Sequence, residues 1–149
     1  MSRAELKPIP GFPEYSASTD GRIWSEKSNR WLATPPSGGY PRVNLLRDGK
    51  QYHRKVHVLV ALTWIGARPT GMQVRHLDGD STNNRLDNLT YGTPSENIAD
   101  SVTHGTHRNS RKTRCHKGHR FTEENTYVRA DGSRRCKACR RKGAEHVQA

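Results

Sequence analysis

Apolar residues in this chain come in short bursts separated by turn-forming residues, and the period within each burst predicts the elements. Gly39–Leu45 and Lys50–Arg54 alternate in polarity on either side of Arg47-Asp48-Gly49, so a β-hairpin with a tight turn is expected there. Val56–Trp64 is apolar with a mixed period, which fits a short buried helix. Met72–Leu77 alternates as a strand, and Asp78-Gly79-Asp80 turns because glycine tolerates positive φ and aspartate caps its own backbone. Leu89-Thr90-Tyr91 then returns as the partner strand. Thr93-Pro94-Ser95-Glu96 reads as a helix start, with Thr93 at the N-cap, Pro94 at the first helical position and Glu96 completing a capping box. Phe12, Tyr15 and Trp24 anchor a compact turn leading into a strand, and Asn125–Arg129 pairs with Ser133–Arg135 across Ala130-Asp131-Gly132. Residues 66–71 and 104–114 are connectors; the second is basic, lacks apolar residues, and is expected to be disordered on its own. There is no internal repeat and no low-complexity tract.

Two groups of polar residues carry candidate chemistry. His76 ends the first strand of a hairpin whose connecting loop is long and rich in Asn and Asp, and Asn97 lies in the first turn of the helix that follows. A hairpin packed on that helix can bring the two together. Phosphodiester cleavage needs a base to activate water and a divalent cation to neutralise the charge developing on phosphorus, and a histidine with oxygen donors offers both. Further on, Cys115, His119, Cys136 and Cys139 are spaced C-x3-H-x16-C-x2-C, a tetrahedral Cys3His zinc set presented from two tight knuckles. His116 is an alternative to His119, and the spacing from Cys115 favours His119. An odd number of cysteines argues against a disulfide framework.

On these residues the segment 57–97 resembles the HNH endonucleases of phages and self-splicing introns, whose core is a ββα-metal finger. The resemblance implies that His76 is the general base, that Asn88 pins the loop through backbone hydrogen bonds, and that Asn97 is the helix-borne ligand of Mg2+ or another divalent cation. The family usually carries Asp or Asn before the base, as a second metal ligand. This chain has Arg75, which only donates hydrogen bonds. Three alternatives follow: Asn97 holds the cation with the DNA phosphate and waters, a nearby carboxylate such as Asp78 substitutes, or the site is weakened. Arg75 is also a candidate catalytic residue, since a guanidinium fork suits the oxygens of a phosphorane. His57, at a recurrent family position, is read as scaffold or phosphate contact. The C-terminal Cys3His segment resembles the small zinc modules appended to many phage HNH proteins. Residues 7–25, with their GF-x-x-Y-x-x-S pattern, resemble the NUMOD4-like segment found ahead of HNH domains in homing endonucleases.

Composition agrees with a polyanionic partner. Lys and Arg number 26 against 14 Asp and Glu, giving +12 and a pI near 10.2, a surplus that favours nucleic acid through counterion release. Alternation places Arg42 and Asn44 of one strand, or Gln51 and His53 of the other, on a face that can enter a DNA groove; His57 and the linker residues Arg108, Arg111 and Lys112 are candidate phosphate contacts. No apolar run reaches transmembrane length, and the start of the chain is no signal peptide, so the expected location is the cytoplasm, that of the host cell for a phage protein. At 149 residues and 31% hydrophobic content, small modules held partly by metal are expected rather than one large core.

The expected architecture is α+β: a DNA-contacting β-hairpin module over 1–55, a ββα-metal (His-Me finger) nuclease core over 56–104, a basic linker over 105–114, and a zinc knuckle with a basic tail over 115–149. The expected function is metal-dependent cleavage or nicking of double-stranded DNA, of the phage or intron homing type, with one structural Zn2+. The expected assembly is a monomer or weak dimer without membrane contact, with phage terminase components as candidate protein partners. The alternative is a non-catalytic, zinc-containing DNA-binding or packaging accessory protein that keeps the HNH fold.

Overall fold

The computed structural model of the chain describes residues 4–130 and 132–144. Asp131 of the expected C-terminal turn, residues 1–3 and tail residues 145–149 lie outside them. The chain forms two compact units, Met1–His104 and Gly105–Ala149.

The first unit opens with a four-stranded antiparallel sheet of β1 (Leu6–Ile9), β2 (Phe12–Ser18), β3 (Ile23–Ser25) and β4 (Arg30–Trp31). A three-stranded sheet follows, made by β5 (Pro36–Ser37), β6 (Tyr40–Arg47) and β7 (Lys50–Lys55). Between β6 and β7, Arg47 pairs with Lys50, and Asp48 and Gly49 take φ of 52° and 71°. That is a two-residue type I′ turn, whose twist matches the flanking strands.

Helix α1 (Val56–Trp64) begins where β7 ends and is buried on most of its surface, through Val56, His57, Leu59, Val60, Ala61 and Thr63. A helix apolar nearly all round belongs at the centre of a unit. Val56, Leu59 and Val60 share one core with Ile9, Phe12, Tyr15, Ala17 and Ile23 of the first sheet, Val43 and Leu45 of the second, and Leu89 beyond the helix. Two long-range hydrogen bonds tie the layers: Trp64 Nε1 donates to the Ala17 carbonyl (3.2 Å), and the Leu46 amide donates to the Tyr15 hydroxyl (3.0 Å). The separate cores expected for residues 1–55 and 56–104 are therefore one, because α1 has apolar residues to bury on both sheets at once.

The hairpin β8 (Gln73–His76) and β9 (Leu89–Gly92) pairs Gln73 with Gly92 and His76 with Leu89, leaving residues 77–88 as the loop. Helix α2 (Pro94–Thr103) starts with a complete capping box: the Glu96 amide donates to Thr93 Oγ1, and the Thr93 amide to Glu96 Oε2 (2.7 Å).

The second unit holds the hairpin β10 (Thr126–Val128) and β11 (Arg134–Cys136), followed by α3 (Lys137–Ala144). The linker expected to be disordered is folded onto this unit. The carbonyls of Asn109, Ser110 and Lys112 converge on the Arg134 guanidinium, which also lies over the Phe121 ring at 4.8 Å. Among the described residues, no helix is long and apolar enough to cross a membrane. The mixture of sheets and helices is α+β.

Candidate active site and metal centre

Successive side chains of β8 point to opposite faces, and this divides the candidate residues. Gln73 and Arg75 face α2. Asn97 Nδ2 donates to Gln73 Oε1 (3.1 Å), and the Arg75 guanidinium grips Asp100 with Nε to Oδ2 at 2.7 Å and Nη2 to Oδ1 at 2.9 Å. Glu96 adds a longer ion pair at 3.4 Å. Arg75 lies flat on β9, its Cδ occupying the place where a Cβ on Gly92 would sit. Its donors are thus turned toward the helix carboxylates.

His76 occupies the opposite face with His57 and Tyr40. The two imidazoles meet edge to face with centroids 5.0 Å apart, and Tyr40 lies 5.0 Å from His57 and 6.2 Å from His76. His57 is 5% exposed, and its Nδ1 is buried without a hydrogen-bond partner. Burial, then the neighbouring His76 and Lys55, lower its pKa to about 3, so it is neutral. Between the two roles expected for it, this geometry supports scaffold, because a buried neutral ring has no charge to offer a phosphate.

The loop between β8 and β9 is stapled by asparagines. Asn88, 8% exposed, accepts from the Asp78 amide (3.0 Å) and donates through Nδ2 to Asp78 Oδ1 (2.9 Å) and to the Asn83 carbonyl (2.9 Å). Asp78 also accepts from Asn83 Nδ2 and from the Asp80 amide. Burial pushes the Asp78 carboxyl up, but the hydrogen bonds from Asp80, Asn83 and Asn88 outweigh it and hold the group below the usual carboxylate range. Asn84, which sequence reading did not single out, is 6% exposed and sets Oδ1 3.1 Å from His76 Nε2. Its only mark in the sequence was membership of an Asn-Asn pair in a polar loop.

A hard divalent cation needs several oxygen donors, preferably carboxylates. On the helix that carries Asn97, both oxygens of Asp100 are bound by Arg75, and Glu96 is engaged by Thr93 and Arg75. Asp78 spends both of its oxygens within its own loop. Among the described residues, the side chains beside Asn97 and Asp78 as arranged here do not fit such an ion. The Cys3His group fits zinc. Cys115 Sγ, Cys136 Sγ and Cys139 Sγ lie 3.5, 3.7 and 3.4 Å from His119 Nδ1, and Cys115 Sγ lies 3.7 Å from Cys139 Sγ. All four ligand atoms fall within 4.8 Å of one another. Zn–S of about 2.3 Å and Zn–N of about 2.0 Å in a tetrahedron require edges of roughly 3.5–3.8 Å. His116 is exposed and outside this group.

The predicted DNA-contacting residues of the hairpin share one face. Arg42 pairs with Lys55, Asn44 with His53 and Leu46 with Gln51, while Val43 and Leu45 turn into the core. Arg108, Arg111 and Lys112 are exposed on the second unit.

Residues 54–99 match the family model described as HNH endonuclease. An HNH endonuclease domain therefore occupies this part of the chain. Over 104 residues the chain is 35% identical to DNA endonuclease I-HmuI of Bacillus phage SP01, covering 68% of this chain and 60% of that relative. It is 33% identical over 99 residues to H-N-H endonuclease F-TflII of Escherichia phage T5, covering 64% and 51% of the two chains. The chain thus spans no more than 60% of the length of either relative. A solved structure of DNA binding and cleavage by the HNH homing endonuclease I-HmuI matches with a TM-score of 0.66 at 28% identity, covering 95% of this chain and 83% of that one. The HNH match takes in α1, the β8–β9 hairpin and the first half of α2, so His57, Arg75, His76, Asn84, Asn88 and Asn97 all fall inside it.

Proposed function

We propose that the chain is a DNA endonuclease that hydrolyses phosphodiester bonds in double-stranded DNA, of the phage homing type. The observation that carries this reading is His76: a partly exposed imidazole at the end of β8, set in an asparagine-stapled loop inside an HNH domain. In the proposed reaction His76 takes a proton from water through its free ring nitrogen. The water oxygen bonds to phosphorus, the bond to the leaving oxygen breaks, and that oxygen takes a proton from solvent. The exposed face of β6 and β7, with Arg42, Asn44, Gln51, His53 and Lys55, lies against the duplex, and Arg108, Arg111 and Lys112 add phosphate contacts. Asn88 holds the loop. Zinc bound by Cys115, His119, Cys136 and Cys139 would supply structure and no reaction step.

One observation favours a second reading, a non-catalytic DNA-binding accessory protein: Arg75 and Asp100 neutralise each other where Asn97 would need anionic neighbours to hold a cation. A plasmid-nicking assay run with Mg2+, with Mn2+ and with EDTA, beside a filter-binding measurement on the same DNA, separates the two. Nicking supports the endonuclease, and its loss in EDTA assigns a cation requirement. Binding without nicking under all three conditions supports the accessory protein.

A further inference from the structure

We infer that Asn84 is the positioning residue that fixes the tautomer of His76, and that the N-terminal sheet, through the turn at Gly21, holds Asn84 in place. A neutral imidazole carries one ring proton, and the hydrogen bond made by one nitrogen decides which nitrogen is left basic. Asn84 Oδ1, an acceptor, lies 3.1 Å from His76 Nε2. Nε2 therefore carries the proton and donates it to Asn84. The lone pair on Nδ1 is the one left to receive a proton from water.

The titratable groups around His76 are consistent with a proton kept on Nε2. Across the ring are neutral His57 on α1 and Tyr40 on β6, and Asp78 and Asp80 lie near it in the loop. Both oxygens of Asp78 are held by Asn83, Asn88 and the Asp80 amide, and one oxygen of Asp80 is taken by the amide and hydroxyl of Thr82. Asn84 is the neighbour that addresses Nε2.

Asn84 is in turn held from outside the HNH segment. The turn between β2 and β3 is closed by the Ser18 amide on the Arg22 carbonyl (2.9 Å) and the Gly21 amide on the Ser18 carbonyl (3.1 Å). From this turn the Thr19 carbonyl accepts from the Leu86 amide (2.9 Å). Gly21, at φ +87°, lies so close to the loop that a Cβ there would be 2.6 Å from the Asn84 carbonyl carbon and 2.7 Å from its oxygen. Only glycine fits such an approach. The N-terminal segment thus shapes the loop that carries the base, a role separate from the DNA contact expected of it.

The inference rests on His76 being the base, and its test reads the ring directly. In the 15N-labelled chain at alkaline pH, with the signal assigned by its loss in His76→Ala, the imidazole nitrogens should show protonated Nε2 and bare Nδ1. Asn84→Ala should shift the ring toward the other tautomer and lower kcat for nicking about 10²-fold, as small misplacements of a catalytic group do, with KM nearly unchanged. Asn84→Asp, which keeps an acceptor oxygen in the same shape and guards against a folding defect in the alanine variant, should retain the Nε2–H form. A wild-type ring protonated on Nδ1, or a ring unaltered in Asn84→Ala, overturns the inference. Absence of nicking by wild-type protein with the Nε2–H signature intact would instead count against the nuclease reading alone.

Discussion

Arg75 and Asp100 are joined by two parallel hydrogen bonds of 2.7 and 2.9 Å across the packed faces of β8 and α2. A planar guanidinium on a carboxylate is the strongest geometry available to an ion pair, and with side chains 16% and 25% exposed the pair is shielded from water. It joins the hairpin to the helix.

That pair makes a pH prediction. Hydrogen bonding from Arg75, outweighing burial, holds the Asp100 carboxyl below its usual range. A carboxylate whose folded pKa lies below its unfolded value, about 3.9, stabilises the fold above that value and loses the contribution as pH falls through the folded one. Stability of the first unit should therefore drop as pH falls below about 4. Denaturant midpoints of Asp100→Asn should show a shallower acid limb than wild type and a lower plateau at neutral pH; parallel curves would show that the pair does not contribute.

Replacing the guanidinium should reverse the charge of the surroundings of Asn97. Arg75→Asp would set a third carboxylate beside Asp100 and Glu96, the kind of donor set that hard cations prefer. Calorimetric titration with Mn2+ should detect binding at this site in Arg75→Asp and none in wild type. Equal binding in both proteins would mean that Arg75 does not oppose the cation.

Two glycines provide a matched test of the docking between the N-terminal turn and the loop. Gly21 and Gly38 both have positive φ, +87° and +61°, but a Cβ on Gly38 meets nothing within 4 Å. Alanine at either position costs the backbone strain, of order 1–3 kcal/mol, and only Gly21→Ala adds a collision with the Asn84 backbone. Unfolding free energies should show Gly21→Ala as clearly the less stable. Equal losses would place the turn and the loop farther apart than the structure does.

The Cys3His unit should depend on zinc. It has few core residues, so metal binding worth on the order of 10 kcal/mol would supply most of its folding energy. Elemental analysis should find one zinc per chain, and Cys139→Ser or chelation should abolish amide protection over 105–144 while leaving the first unit folded. Full protection without zinc would show that the four side chains stabilise the unit unaided.

Local signals carried much of this architecture. The Asp-Gly turn between two alternating stretches was legible as the β6–β7 hairpin, and Thr93 with Glu96 as a capping box, because both are short-range chemistry. The spacing of Cys115, His119, Cys136 and Cys139 likewise indicated four ligands that the fold brings together. What escaped was long-range. Asp100 lies 25 residues from Arg75, and nothing in the order of residues pairs them. Asn83 and Asn84 look alike in sequence, and only tertiary structure decides that Asn84 reaches the imidazole. The linker appeared unstructured because it has no apolar residues, yet its carbonyls fold around Arg134, a polar mode of ordering that hydrophobic patterning does not register.

The central claim is that His76 activates water in a nuclease site, and single-turnover nicking of supercoiled plasmid by wild type and His76→Ala tests it most directly. A general base contributes about 10²–10⁴ in rate and little to ground-state binding. The variant should therefore nick at least about a hundredfold more slowly while binding DNA within a few fold of wild type. Nicking by His76→Ala at the wild-type rate would contradict the account.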